Sequence, residues 1–149
     1  MSFEIWIDAA WARGGYGGWS YVCFGDSEPR GVAGGDRRTT AERMILTAAI
    51  VALESLAANA AAPVKLFTAD RSLLAGELET DRDLRDRLAK VVAARSAPVA
   101  FVDRKDSTEA VRASFVQGWA EFALDTAKTK GAFSSAIPRS NLKMLAAKP

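Results

Sequence analysis

The sequence predicts an α/β fold whose mixed sheet is covered by helices on both faces. Three observations carry this expectation. The segment "TTAERMILTAAIVALESL", residues 39–56, is apolar around nearly its whole helical circumference, which marks a buried helix. Residues before it are Gly-punctuated and rich in β-favouring side chains. Residues after it alternate strand-like and helix-like runs. A buried helix between two blocks of strands requires layers above and below it.

In chain order, "FEIWID" alternates apolar and polar residues and predicts a strand ending at Asp8. "GGYGGWSYVCFG" predicts the second strand of a hairpin, and "PRGVAGG" a weaker third, because Gly-rich strands specify register poorly. The long helix spans 40–57, opened by Thr39 and Glu42 as a capping box. "AANAAAP" predicts a loop, "VKLFTAD" a strand ending at Asp70, and "RSLLAGEL" a short helix. "DRDLRDRLAKVVAARS" sets Leu84, Leu88 and Val91 or Val92 on one helical stripe. "PVAFVDR" predicts the last strand. "STEAVRASFVQGWAEFALDTAK" predicts a final helix with Val111, Phe115, Trp119 and Phe122 at helical spacing. The element order is β β β α β α α β α, a single domain over residues 1–128. Residues 129–149 turn to Ser, Pro, Ala and Lys and predict a flexible basic tail.

Hydrophobic residues make up 49% and charged residues 26%, an ordinary balance for a globular domain, and no apolar run is long enough for a membrane span. The N-terminal run carries charges and lacks a basic start, so it does not read as a secretory signal. Cys23 is the lone cysteine, and a reducing cytoplasm is the expected compartment. The chain has no histidine, which excludes Ser-His-Asp and Cys-His nucleophiles and imidazole-bound zinc. Carboxylates are then the expected agents of any catalysis. Residues 1–125 contain 18 acids and 15 bases, whereas 126–149 contain five bases and no acid. The chain is therefore an acidic body with a basic end.

The element order and several strings together resemble type 1 ribonuclease H. "IWIDAA" is similar to the family's first strand, whose terminal Asp binds metal. "GGYGGWSYV" resembles its Gly-Gly-Tyr-Gly opening of strand two. "RRTTAERMILTAAIVALESL" is similar to a string of Arg-Thr-Thr, Arg-Met-Glu-Leu and Ala-Ala-Ile-x-Ala-Leu. "TADRSLL" resembles Thr-Asp-Ser followed by a short helix, and "DLRDRL" the helix before the last strand. The resemblance spans roughly residues 3–127 and implies a five-stranded mixed sheet with helix 40–57 on its centre.

What the resemblance implies for chemistry is two Mg²⁺ ions between four carboxylates, cleaving RNA in RNA/DNA hybrids. Asp8 matches the first ligand. The second, the Glu of Arg-Met-Glu-Leu, falls on Ile45. The third is Asp70 if the strand ends one residue later than in the family, or Ala69 in direct register. The fourth falls on Glu121, with Asp125 one turn further on. Arg38 and Thr40 match positions flanking the family's phosphate pocket, and Arg43, Lys128 and Lys130 add positive charge for nucleic acid. Mg²⁺ needs oxygen ligands in fixed geometry, so an Ile in the set predicts weak or no activity. The expectation is a nucleic-acid-associated ribonuclease H-like protein that binds RNA/DNA hybrid or RNA. Alternatives are an active divergent nuclease using Mg²⁺ or Mn²⁺, and a module for an unknown protein partner. For Asp8 and Asp70 the plainer role is a turn or cap residue, and for Glu121 and Asp125 a solvated helix face.

Overall fold

The computed structural model describes residues 2–25, 28–70, 73 and 81–146. Strand β1 (Phe3–Ala12) turns through Arg13–Gly15 into β2 (Tyr16–Phe24), followed by β3 (Arg30–Asp36) and helix α1 (Ala41–Glu54). Then come β4 (Val64–Thr68), α2 (Arg82–Ala93), β5 (Val99–Asp103), α3 (Ala110–Lys130), β6 (Phe133–Ala136) and α4 (Arg139–Ala146). The short helix expected at 71–78 lies outside the described residues, Leu73 excepted. No helix among them is long and apolar enough to cross a membrane.

Among the described residues the sheet has six strands in the order β5-β4-β1-β2-β3-β6, one more than the sequence predicts. β1–β2, β2–β3 and β3–β6 pair antiparallel, whereas β4 pairs parallel with both β1 and β5. The sixth strand comes from the segment expected to be a flexible tail. Ser134 and Ser135 there sit opposite Gly34 and Ala33 and extend the β3 edge. Beyond it Ile137, Leu142 and Leu145 are buried. The polar, Pro-containing composition of this segment misleads because an edge strand needs few large side chains: its backbone bonds to β3 do the work.

Two cores form, one on each face. On the first, α1 and α2 cover Phe3, Ile5, Ile7, Trp19, Tyr21 and Leu66, and α1 is buried through Met44–Leu46, Ala48–Ile50, Ala52 and Leu53. Leu84, Leu88, Val91 and Val92 of α2 pack at its edge, as their spacing predicts. On the second, α3 and α4 cover Trp6, Val22, Ala33 and Phe67, with Trp6 stacked on Phe67 at 4.4 Å between centroids.

α3 leaves two of its large apolar residues outside, with Phe115 and Trp119 only partly buried against the second core. Its inward face is Arg112, Val116, Ala120, Ala123 and Ala127, while Val111 and Phe122 remain 65% and 58% exposed. The cause lies in the sheet. A Cβ at Gly18 would collide with the backbone of Ala120 and Leu124, and one at Gly35 with the carbonyl of Ala123. The helix lies so close on these glycines that only small side chains fit beneath it.

The cap of α1 is also displaced by one residue. Thr40, not Thr39, accepts the N–H of Arg43 at 3.1 Å. Arg38 adopts a left-handed φ of 53°, turning the chain so that Thr39 donates its N–H to Gly15 and accepts Trp11 Nε1.

Candidate active site and basic surface

Asp8 does not end its strand. Pairing with β2 continues four residues beyond it, and Asp8 lies opposite Ser20. Side chains alternate along β1, so Asp8 shares the α3 side of the sheet with Trp6. It is half-buried, and both its carboxylate oxygens are engaged. Oδ1 accepts the N–H of Ala9 at 2.8 Å, and Oδ2 accepts the guanidinium of Arg104 at 3.1 Å.

The strand register explains how Arg104 reaches it. Trp6 is level with Phe67 on β4, and Phe67 is level with Val102 on β5. Asp8, Ala69 and Arg104 each lie two residues further on, past the last paired positions of both ladders. Neither Ala69 nor Asp70 belongs to β4, which ends at Thr68. Asp70 donates its N–H to the hydroxyl of Thr68.

Ile45, Glu121 and Asp125 do not converge on Asp8. Ile45 is 4% exposed and belongs to the core on the opposite face of the sheet. The part of α3 at the level of Asp8 is Val116, whose carbonyl accepts the hydroxyl of Ser20, the strand partner of Asp8. Glu121 and Asp125 are exposed and lie about 140° and 180° around the helix from Val116 at 100° per residue. Asp125 instead lies 3.7 Å from Lys128. Among the described residues, no group of three or more His, Cys, Asp or Glu side chains could hold a metal ion. A two-cation centre needs several convergent oxygens, and these residues do not fit one.

The bases divide into two sets. Arg43 is committed within the fold: it binds Asp83 through two bonds of 3.1 and 2.9 Å and Asp81 at 3.1 Å. These bonds raise the Arg43 pKa and hold the Asp83 carboxyl down at about 2. Arg38, Lys128 and Lys130 are exposed and lie at one end of the molecule. Arg37, on the β3–α1 connection, donates to the carbonyls of Ala127 and Lys128 at 3.3 and 3.4 Å, a favourable placement at a helix C-terminus. The same connection backs onto Gly15, where a Cβ would sit 3.3 Å from the Arg38 backbone, so Arg13 of the hairpin turn joins the group. Asp36, Asp125 and Thr40 border it, with Thr40 committed to the α1 cap.

Sequence reasoning missed two residues, Arg104 and Arg112. Arg112 is buried under α3, bonded to Glu4 at 2.7 Å and lying 3.8 Å over the Phe24 ring. Nothing local in "VDRKD" signals that Arg104 meets Asp8. Only the pairing of three strands brings them together.

No family model and no curated protein matches the chain. Solved structures do. RNase H1 of the halophilic archaeon Halobacterium salinarum superposes with a TM-score of 0.62 at 22% identity, over 85% of this chain and 100% of that one. The N-terminal RNase H domain of a Mycobacterium tuberculosis protein superposes with a TM-score of 0.66 at 15% identity, over 85% of this chain and 97% of that one. The chain has a ribonuclease H-like fold.

Proposed function

We propose that the chain is a ribonuclease H-like nucleic-acid-binding protein whose own hybrid-cleaving activity is weak or absent. The observation that carries this reading is the Asp8–Arg104 pair. The carboxylate that matches the family's first ligand is neutralised by a guanidinium, and the position expected to carry the second is Ile45, in the core on the opposite face of the sheet. A guanidinium supplies positive charge and hydrogen bonds but activates no water, so the arrangement suits holding a phosphate or a carboxylate better than hydrolysing a phosphodiester. Binding is supported by the exposed bases Arg13, Arg38, Lys128 and Lys130 at one end. Both solved relatives are named for RNase H, and nucleic acid comes to this chain as a proposed ligand on that basis.

The test is cleavage and binding measured together on a labelled RNA/DNA hybrid, with Mg²⁺ and then Mn²⁺. The expected result is binding at low salt, with cleavage at background under either cation. With roughly three to four phosphates contacted, log affinity should fall against log salt with a slope of about −3. Mg²⁺-dependent cleavage that is lost in Asp8→Asn would overturn the reading in favour of an active divergent nuclease. Binding to neither DNA, RNA nor hybrid at low salt would favour a protein-interaction module instead.

A further inference from the structure

We propose that the Trp11 indole is a stacking platform for one unpaired nucleic-acid base, so that this protein favours single-stranded segments over continuous duplex, a preference that rests on the nucleic-acid-binding reading above. Trp11 is 49% exposed near the end of β1, whereas Trp6 and Trp19 are buried in the two cores and Trp119 is partly buried. By strand alternation it follows Phe3, Ile5, Ile7 and Ala9 along the α1 side of the sheet, but stands past the end of that core. Its strand partner is Gly17, which offers no side chain, and pairing of β1 with β4 stops at Trp6. One hydrogen bond sets the ring: Nε1 donates to the carbonyl of Thr39 at 3.0 Å. The polar edge of the indole is thereby satisfied within the fold, and a ring already fixed loses little freedom when a ligand stacks on it.

The same bond fixes where the cations stand. Thr39 donates its own N–H to the carbonyl of Gly15 at 2.8 Å, so the hairpin turn and the β3–α1 connection are tied twice, at Gly15 and at Trp11. Arg13 and Arg38 therefore belong to one small patch with the ring. Both are exposed, and neither has a carboxylate partner among the described residues. Arg38 holds a left-handed φ of 53°, where backbone preference alone would favour Gly or Asn, so what arginine contributes there is its side chain. The acids nearest Arg38 in sequence are Asp36, which accepts the N–H of Arg37, and Glu42, half-buried with a partner of its own.

Phosphate asks only for the cations, and single and double strands offer it alike. A π-face asks for an open base face, and in a duplex each face is covered by the next base pair. Stacking on Trp11 adds to binding only where a base is unpaired, in a single strand, an overhang or a gap. It is indifferent to the identity of the base, because every base has a π-face.

Fluorescence anisotropy of the full chain compares a labelled single-stranded RNA of mixed sequence, about 12 nucleotides long, with a blunt RNA/DNA hybrid of the same length. Trp11→Ala should lower the ratio of single-strand to hybrid affinity about tenfold, the effect of losing one stacked base, and Trp11→Phe, which keeps a ring, should recover most of it. Arg13→Ala with Arg38→Ala should instead weaken both ligands together. Irradiating the wild-type complex with RNA that carries 5-iodouracil should cross-link Trp11, read by peptide mapping, and this measurement needs no variant to fold. A ratio unchanged in Trp11→Ala while both ligands still bind, or a cross-link that maps elsewhere, would overturn the platform and leave nucleic-acid binding standing. Binding of neither ligand by the wild-type chain would overturn both.

Discussion

Restoring the carboxylate that the ribonuclease H resemblance expects, by Ile45→Glu, should damage this protein rather than repair it. Ile45 is 4% exposed in the core beneath α1. Losing a fully buried Ile side chain costs about 1.5–3 kcal/mol. Placing a carboxyl in the same space without partners costs about 1–3 kcal/mol more. The sum, about 3–6 kcal/mol, is comparable to the whole stability of a typical domain, which is about 5–15 kcal/mol. At about 2–4 °C per kcal/mol, the melting temperature should fall by roughly 6–24 °C.

The penalty should also depend on pH. Burial raises the folded-state pKa of the new Glu above its unfolded value of about 4.3. Below that value both states are protonated and the ionisation penalty is absent. As pH rises towards the folded-state pKa, the unfolded chain releases its proton and the folded one does not. The gap to wild type therefore widens by up to about 1.4 kcal/mol per pH unit. Urea unfolding followed by the fluorescence of the four tryptophans, at pH 4 and pH 8, measures it directly. A variant as stable as wild type at pH 8, or one that millimolar Mg²⁺ selectively restores there, would refute the reasoning. Either result would mean that Glu at this position finds oxygen neighbours that the Ile45 environment does not offer.

Leu142→Ala should cost about 2–5 kcal/mol in urea unfolding, because Leu142 is buried against the sheet, and truncation after Gly131 should leave no cooperative unfolding transition. Cys23 should resist thiol reagents at pH 8 until urea exposes it, since burial pushes its thiol up to about 11. For the same reason stability should decline as pH rises from the ordinary thiol value through about 11, where the unfolded chain ionises first; burial raises Tyr21 in the same direction, and alkaline unfolding curves check both. Arg38→Ala with Lys130→Ala should weaken hybrid binding at low salt and make the salt slope shallower by about two, read by fluorescence anisotropy. Arg43→Ala should instead act on stability, because its charge is held by Asp81 and Asp83.

What the sequence determined by itself was what repeats along the chain. The period of "ERMILTAAIVALE" predicts a buried helix whatever surrounds it, and α1 is buried almost throughout. The alternation of "FEIWID", the Gly-rich hairpin turn and the stripe of α2 are local in the same way, and each is realised within a few residues. The order of these elements was enough for the fold class, because few layer arrangements bury such faces. The tertiary structure decided whatever depends on residues far apart in the chain. Asp8 meets Arg104 only because β1, β4 and β5 pair in one register, 96 residues apart in sequence. The spacing of Val111, Phe115, Trp119 and Phe122 points to a core face, yet the sheet offers α3 glycines at Gly18 and Gly35, and the alanine side fits closer. Residues 133–136 look like tail by composition and become a strand because β3 presents an edge to them. Periodicity records which side of a segment avoids water, whereas register and close approach are properties of two segments at once, and no single stretch of sequence carries them.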